Sequence, residues 1–209
     1  MTIPMTDDQA RIRRLLARRD PRLAVVIKRC NAGPAYPRRI EHFAALVRVI
    51  TGQQLSTKAA QTIYTRVAAF FPEAVPTPSG FAPVTDEQLR AAGLSRQKIS
   101  YLRDFCVKVS DGTLRLPDLE QMPDDDVIQA IMQVKGLGRW SAEMFLMFRL
   151  NRPDVLPVGD LGIVKAMQRC YGLRKPPTPE RMLKIGEAWR PYRSIACWYL
   201  WRSLENEPV

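Results

Sequence analysis

Histidine is almost absent from this sequence, with a single residue, His42, among 209. A multi-histidine zinc site is therefore excluded, and catalytic triads that depend on histidine have little support. Long apolar runs are also lacking, since no stretch approaches the roughly 20 residues that cross a bilayer. The N-terminus carries arginines but no apolar segment typical of a secretory signal. We therefore expect a cytoplasmic protein that does not span a membrane, and a structural or surface position for His42.

Cysteine is scarce and dispersed. The four cysteines are far apart in the chain and form no C-x-x-C pair (Cys30, Cys106, Cys170 and Cys197). This spacing argues against a zinc ribbon, an iron–sulfur cluster and a disulfide framework. We expect buried or half-buried free thiols and no protein-bound metal.

Basic residues are plentiful, and their distribution is uneven. Lys and Arg number 32 against 21 Asp and Glu, a net charge of +11. Residues 1–50 carry a local charge of +7 and residues 160–209 of +4, whereas residues 111–130 carry −5. The 46% hydrophobic content is too high for a disordered chain, and the length suits one core or two small lobes sharing a cleft. The charge indicates a polyanionic partner, either nucleic acid or an anionic membrane.

The apolar pattern is helical nearly throughout, with no clear alternation typical of a strand. Apolar residues recur at spacings of three and four, and helix-capping residues or acidic first turns precede several of these segments. Two proline-rich stretches, 72–83 and 174–179, are interpreted as connectors. The predicted helices cover approximately 40–50, 57–71, 85–93, 95–111, 124–133 and 139–149.

The segment around Gly136-Leu137-Gly138 joins two predicted helices and is the most informative part of the sequence. Leu137 is predicted to be a buried plug between the helices. Unpaired N–H groups at the start of the second helix would form an anion site that suits a DNA phosphate. Taken alone, the two glycines favour an ordinary turn between helices. The basic flanks Lys135 and Arg139 favour the phosphate site.

Asp160 stands directly before the helical pattern that begins at Leu161. An aspartate at this place is a typical N-cap, which stabilises a helix by about 1 kcal/mol. Spacing alone favours capping and leaves a catalytic role open, and the two roles are compatible.

Four segments, in order, resemble the helix-hairpin-helix DNA glycosylase superfamily, in particular its 3-methyladenine DNA glycosylase II type. The resemblance extends from about residue 40 to 204, and nineteen positions separate Ser141 from the acid at 160. The segments are I-T-G-Q-Q-L-S at 50–56, V-K-G-L-G-R-W-S-A at 134–142, L-P-V-G-D-L-G-I at 156–163, and E-A-W-R-P-Y-R-S at 187–194 followed by Y-L-W at 199–201.

The resemblance implies an all-α, two-lobed fold without the N-terminal β domain of larger members. We expect a single catalytic unit over residues 1–209. One lobe would combine 1–50 with 158–209, and the other would cover 51–157 and end in the hairpin at 124–149. The base would lie in the cleft.

The resemblance also implies a function: a monofunctional hydrolase that flips alkylated bases out of duplex DNA and excises them in base excision repair. Asp160 would be the catalytic carboxylate. Lyase-active members carry a lysine nucleophile two residues after the second hairpin glycine, where this chain has Trp140. Two rivals are a bifunctional or mismatch-specific glycosylase and a non-enzymatic DNA-binding module. We expect a monomer, associated with the nucleoid if bacterial, whose partner is damaged double-stranded DNA and not a membrane. We expect no cofactor, with allowance for a monovalent cation at the hairpin.

More than one role is possible for several of the remaining site residues. Gln54 aligns with the residue that fills the gap left by the flipped base, although Leu55 could fill it instead or Gln54 could be a turn residue. Ser56 is expected to cap a helix more readily than to bind phosphate, and Arg193 could pair with phosphate or with an internal carboxylate. The predicted base pocket comprises Trp140, Trp201, Met144 and Gln53, with core packing as the alternative for each tryptophan. The predicted DNA contacts are Gln54, Leu55, Ser56, Lys135, Gly136, Gly138, Arg139, Ser141 and Arg193.

Overall fold

The computed structural model describes residues 7–30, 33 and 41–205, and none of these residues forms a β-strand. The prediction of an all-α fold is confirmed. The α-helices are α1 Asp7–Arg19, α2 Pro21–Arg29, α3 His42–Gly52, α4 Thr57–Ala68, α5 Asp86–Ala91, α6 Arg96–Ser110, α7 Asp124–Met132, α8 Arg139–Phe148, α9 Leu161–Cys170, α10 Pro179–Gly186 and α11 Arg193–Glu205. Short 3₁₀ helices cover Pro72–Ala74, Ser79–Phe81, Leu116–Glu120 and Glu187–Trp189.

Local sequence explains where several helices begin. Thr85 caps α5 in a capping box with Gln88, and Ser95 caps α6 by accepting from the Lys98 N–H. α4 ends at Ala68, three residues before the predicted end at Phe71. Phe71 precedes a proline and has an extended backbone, as steric clash with a following proline ring favours.

The chain divides into two compact units, unit 1 over Met1–Tyr36 and Asn151–Val209 and unit 2 over Pro37–Leu150. These limits differ from the predicted lobe limits at 50/51 and 157/158. α3 packs against α4, α6 and α8, and so belongs to unit 2. Residues 151–157 belong to unit 1 because Ser194 at the start of α11 binds this segment through the Val155 N–H and the Arg152 carbonyl.

The core of unit 2 is partly aromatic. Phe43 of α3 stacks on Phe105 of α6 with 4.6 Å between ring centroids. His42 lies 5.6 Å from the Phe145 ring and 3.4 Å from a carboxylate oxygen of Glu120. Burial lowers the pKa of His42, with a further contribution from nearby Arg149. Of the two positions expected for His42, structural or surface, the structure shows the structural one.

In unit 1, α11 packs against α2 and α9. Buried Asp20 caps α2 and also accepts hydrogen bonds from the Trp189 indole at 2.8 Å and from the Tyr171 hydroxyl. This one carboxylate joins the N-terminal helices to the C-terminal part of the unit.

The four cysteines are free thiols, buried at Cys30 and Cys197 and partly buried at Cys106 and Cys170, as predicted. Burial raises the pKa of both partly buried thiols to about 11. Within the described ranges, no helix combines the length and apolarity needed to cross a membrane, and no three His, Cys, Asp or Glu side chains are grouped to hold a metal.

Candidate functional site

The hairpin between α7 and α8 is a close-packed turn in unit 2. Leu137 is 3% exposed, which confirms the predicted plug. Gly136 has φ +78°, in the left-handed region that favours glycine, and an added Cβ would lie 2.2 Å from ring atoms of Tyr101. Two separate requirements, backbone conformation and space, therefore select glycine at this position.

Helix α6 is hydrogen-bonded to the hairpin backbone. The Asp104 carboxylate accepts the Lys135 backbone N–H at 2.7 Å and the Lys108 ammonium at 2.7 Å. These bonds lower the pKa of Asp104 against the opposing effect of burial, which is the largest single influence. The Lys135 N–H is thus used internally, and this residue's expected contribution to a phosphate site comes from its exposed side chain.

Helix α8 begins without a side-chain cap. Its N-cap is Gly138, which makes no capping hydrogen bond and would meet nothing within 4 Å if a Cβ were added. The first-turn N–H groups of a helix have no partners within the helix and carry partial positive charge. Arg139 is exposed beside them, whereas the Ser141 side chain is buried, so Ser141 can offer an anion only its backbone.

Residues 53–56 form a loop between α3 and α4. The Gln53 side-chain amide donates to the Gly136 carbonyl at 2.8 Å and to the Ser141 hydroxyl at 3.4 Å, so it connects the loop to the hairpin. Gln54 is exposed and has φ +58°, a conformation that Gln rarely adopts. Leu55 is also exposed, at 39%. Ser56 caps α4 by accepting from the Ala59 N–H at 3.4 Å, which agrees with the favoured alternative.

The predicted pocket residues of unit 2 differ in exposure. Trp140, in the first turn of α8, is 39% exposed, so part of its ring faces solvent. Met144, one turn later, is 8% exposed. A large aromatic surface left in solvent at a helix start is consistent with a stacking platform for a ligand.

In unit 1, Asp160 caps α9 and is held by a tryptophan. One oxygen, Oδ1, accepts from the Ile163 N–H at 2.8 Å and from the Trp201 indole Nε1 at 2.9 Å. The residue is 9% exposed. An added Cβ on Gly162 would lie 3.0 Å from this oxygen and 3.0 Å from the Trp201 ring, so glycine permits the close approach. The predicted capping role is observed, together with the orienting bond from Trp201.

The segment that leads to Asp160 is anchored to the start of α11. Arg193 donates to both carboxylate oxygens of Asp154, at 2.8 and 3.0 Å, and Arg190 donates to the same carboxylate at 2.8 Å. Ser194 donates its backbone N–H to the Pro153 carbonyl. Of the two partners left open for Arg193, the structure therefore shows the internal carboxylate. The predicted DNA contact of Arg193 stays a prediction.

The structure thus brings the predicted residues together in two groups. Gln53, Gly136 and Ser141 are hydrogen-bonded in unit 2, and Asp160 and Trp201 are hydrogen-bonded in unit 1. Sequence reasoning missed four contributors, namely Lys98, Tyr101, Asp104 and Gly162. The spacing of three between the first three places them on one face of α6, and this regularity was the available clue.

Known proteins resemble this chain in sequence and in fold. Residues 47–191 match the family model described as HhH-GPD superfamily base excision DNA repair protein. The chain is 35% identical over 165 residues to DNA-3-methyladenine glycosylase 1 of Schizosaccharomyces pombe, covering 78% of this chain and 72% of that protein. It is 32% identical to a putative DNA-3-methyladenine glycosylase of Bacillus subtilis over 169 residues, which are 78% of this chain and 59% of that protein.

Among solved structures, the S. pombe 3-methyladenine DNA glycosylase in complex with abasic DNA superposes with a TM-score of 0.81. Identity in that comparison is 32%, and it covers 93% of this chain and 97% of the other. The family model matches well over half of the chain. The chain therefore belongs to the HhH-GPD superfamily of base excision DNA repair proteins.

Proposed function

We propose that this protein is a monofunctional DNA glycosylase that removes alkylated bases, of the 3-methyladenine type, from duplex DNA. The observation that carries the proposal is the carboxylate of Asp160, held at the start of α9 by the Ile163 N–H and the Trp201 indole. The relatives described above, named DNA-3-methyladenine glycosylases, support the choice of substrate class.

The proposed chemistry is hydrolysis of the N-glycosidic bond. As the base leaves, the sugar acquires oxocarbenium character, and a fixed carboxylate stabilises that positive charge. Asp160 would do this and would orient or deprotonate the attacking water. Its bonds from Ile163 and Trp201 fix the carboxylate before the reaction, which limits reorganisation as charge develops.

An alkylated base is itself a good leaving group because alkylation at a ring nitrogen makes it cationic. Little general-acid assistance is then needed, which suits a chain whose single histidine is packed against Phe145 and Glu120. The same positive charge offers a basis for recognition. The exposed ring of Trp140 can attract a cationic base by cation–π interaction and stacking.

The target base must leave the stack before it can react, and flipping costs a few kcal/mol of unstacking and unpairing. Gln54 and Leu55 are both exposed on the loop after α3, where an inserted side chain could fill the gap. We favour Gln54 because its left-handed backbone places it at the turn of the loop.

The hairpin would hold the DNA backbone without reading its sequence. The uncapped start of α8 offers N–H groups at the positive end of a helix, and Lys135 and Arg139 add exposed positive charge. Gly138 leaves this surface without a Cβ.

We infer hydrolysis without strand cleavage because Trp140 stands at the position of the lyase lysine in bifunctional relatives. The chemistry needs no cofactor, since water is the nucleophile. We further propose that the protein acts as a monomer on chromosomal DNA. A monovalent cation at the hairpin stays a prediction, and replacing K⁺ by tetramethylammonium at constant ionic strength would test it through DNA affinity.

The function is tested with duplexes that each carry one lesion: 3-methyladenine, 7-methylguanine, hypoxanthine or ethenoadenine. We expect release of free base and strand breaks that appear only after alkali treatment. An undamaged duplex of the same sequence is the control. Breaks without alkali, or a covalent protein–DNA adduct after borohydride reduction, would show lyase chemistry instead. Binding without base release from any lesion would favour a non-enzymatic DNA-binding module.

A further inference from the structure

A lysine on helix α6 binds the C-terminal end of helix α3. The Lys98 ammonium on α6 donates to the Thr51 carbonyl at 2.8 Å and to the Gln53 carbonyl at 2.8 Å. Carbonyls at a helix C-terminus have no partners within the helix and carry partial negative charge, so a cation is favourable there. Lys98 therefore fixes both the end of α3 and the first residue of the loop that follows.

Gln54, which follows Gln53, has a backbone conformation that is unfavourable for a residue with a side chain. Helices commonly end with glycine in the left-handed region, but here Gln54 adopts φ +58° after Gly52 and Gln53. A side chain in this region is disfavoured and persists only where the surroundings determine it. Two hydrogen bonds hold the preceding residue, Gln53, in place and so impose this conformation on Gln54. The Gln53 carbonyl accepts from Lys98, and the Gln53 side-chain amide donates to the Gly136 carbonyl.

One face of α6 contacts both the loop and the hairpin. Lys98, Tyr101 and Asp104 follow one another at spacings of three, which places them along one side of the helix. Lys98 binds the end of α3, the Tyr101 ring packs against Gly136, and Asp104 binds the hairpin backbone at Lys135. α6 thus sets the distance between the loop and the hairpin.

We infer that Lys98 is a positioning residue, which holds Gln54 at the place where it enters the duplex while the hairpin grips the backbone. This role rests on the proposed function, because it requires that the loop insert into DNA. Burial lowers the pKa of Lys98, as expected for an ammonium withdrawn from water to bind backbone oxygens. Lys98 itself is not a catalytic residue.

The first test compares variants that remove the two bonds to different degrees. Lys98→Met keeps the chain length but loses both donors, Lys98→Gln keeps a shorter donor, and Lys98→Arg keeps charge and donors. We expect single-turnover excision to fall about 10- to 100-fold in Lys98→Met, since small misplacements near a reacting centre have effects of this size. Lys98→Gln should be intermediate, and Lys98→Arg should recover most of the rate.

Two further measurements separate positioning from loss of affinity or fold. Binding to an undamaged duplex should stay within about 3-fold of wild type in Lys98→Met, because the hairpin contacts remain. The fluorescence change of a 2-aminopurine placed next to the lesion, which reports unstacking, should be reduced. Lys184→Met is the matched control for loss of one exposed positive charge and should behave as wild type in every assay.

A double-mutant cycle tests whether Lys98 acts through Gln54. In a Gln54→Ala background, Lys98→Met should lower the rate by no more than about 3-fold further. Multiplicative effects, or wild-type excision by Lys98→Met alone, overturn the inference. If Lys98→Met does not fold, Lys98→Gln takes its place in the cycle.

Hydrogen exchange of the DNA-free protein distinguishes failure of this inference from failure of the proposed function. Lys98→Met should accelerate exchange within residues 50–56 and leave α9 unchanged. If wild-type protein releases no base, the glycosylase function fails, and the exchange result still decides whether Lys98 orders the loop. Unchanged exchange in this segment overturns the positioning role.

Discussion

Helices α8 and α9 both begin within the candidate functional residues, and they use the positive end of a helix in opposite ways. The N-cap of α8 is Gly138, which offers no side-chain acceptor. The N-cap of α9 is Asp160, whose carboxylate accepts the Ile163 N–H at 2.8 Å. Both termini carry the same partial charge. One residue decides whether the helix holds its own anion or leaves its N–H groups for an anion from outside.

The two helix starts also differ in burial. Gly138, Arg139 and Trp140 are all exposed, whereas Asp160 is 9% exposed. An exposed, uncapped terminus suits an anion that arrives with a ligand and leaves with it. A buried, capped terminus suits a charge that must be present and oriented before the substrate arrives. The two termini therefore fit the binding part and the chemical part of the proposed reaction.

The largest expected effect comes from removing the charge at α9 while keeping the cap. In Asp160→Asn the amide oxygen can still accept from Ile163 and Trp201, because Asn caps helices about as well as Asp. We expect single-turnover excision to fall about 10²- to 10⁴-fold, the range typical of a lost acid–base or electrostatic group. Undamaged-duplex affinity and the free energy of unfolding in urea should change little. A rate within tenfold of wild type would remove Asp160 from the chemistry.

Asp20 provides the matched control, since it is also a buried N-cap aspartate in unit 1. One of its oxygens caps α2, and the other accepts from Trp189 and Tyr171. In Asp20→Asn an amide NH₂ would face these donors, so the free energy of unfolding should fall by about 1–3 kcal/mol. The excision rate per folded molecule should stay near wild type, the reverse of the pattern expected for Asp160→Asn.

The two hairpin glycines should respond very differently to alanine. Gly136→Ala combines φ +78° with a Cβ 2.2 Å from the Tyr101 ring, so we expect a loss of about 2–4 kcal/mol in the free energy of unfolding. Gly138 has an extended backbone and open space, and Gly138→Ala should cost less than about 1 kcal/mol. Urea denaturation measures both. Equal losses would mean that the α8 terminus is more constrained than its geometry indicates.

Giving α8 an anion of its own should weaken DNA binding. Gly138→Ser can cap α8 and compete modestly with a phosphate for the same N–H groups. Gly138→Asp adds a negative charge as well, and we expect about a 10-fold or greater loss of affinity for undamaged duplex at low salt. The loss should shrink as salt rises, and both variants should be at least as stable as wild type. Wild-type affinity in Gly138→Asp would place the phosphate contact elsewhere.

Features that depend on residues close together in the chain, such as helix starts and turns, could be predicted from the sequence. The helix starts at 85 and 95, where Thr85 and Ser95 act as caps, and the plug Leu137 could be predicted because capping residues and glycine turns act over three or four positions. The end of α4 was placed too late because the apolar spacing continues through Phe71. The proline that follows it decides the backbone there.

The contacts that support the site were not predictable from the same patterns. Lys98 lies 47 positions from its partner Thr51, and Asp104 lies 31 positions from its partner Lys135. An exposed face of a helix and a face that carries other elements share the same polar composition. Only tertiary packing distinguishes them.

The smallest expected effect concerns how the fixed charge at α9 is held. Trp201→Phe keeps an aromatic ring and removes the indole N–H, 2.9 Å from Asp160 Oδ1, while the bond from the Ile163 N–H is retained. We expect kcat to fall about 3- to 10-fold, with KM and undamaged-duplex affinity unchanged, because the net contribution of one hydrogen bond is about 0.5–1.5 kcal/mol.

Gly162→Ala disturbs the same bond differently, since its Cβ would lie 3.0 Å from both Asp160 Oδ1 and the Trp201 ring. A comparable fall in kcat is expected, although the indole donor is still present. If Trp201→Phe raises KM for the lesion instead, the ring acts mainly on the base. The carboxylate would then be oriented by its own helix, and the cap alone would explain why α9 holds an anion where α8 does not.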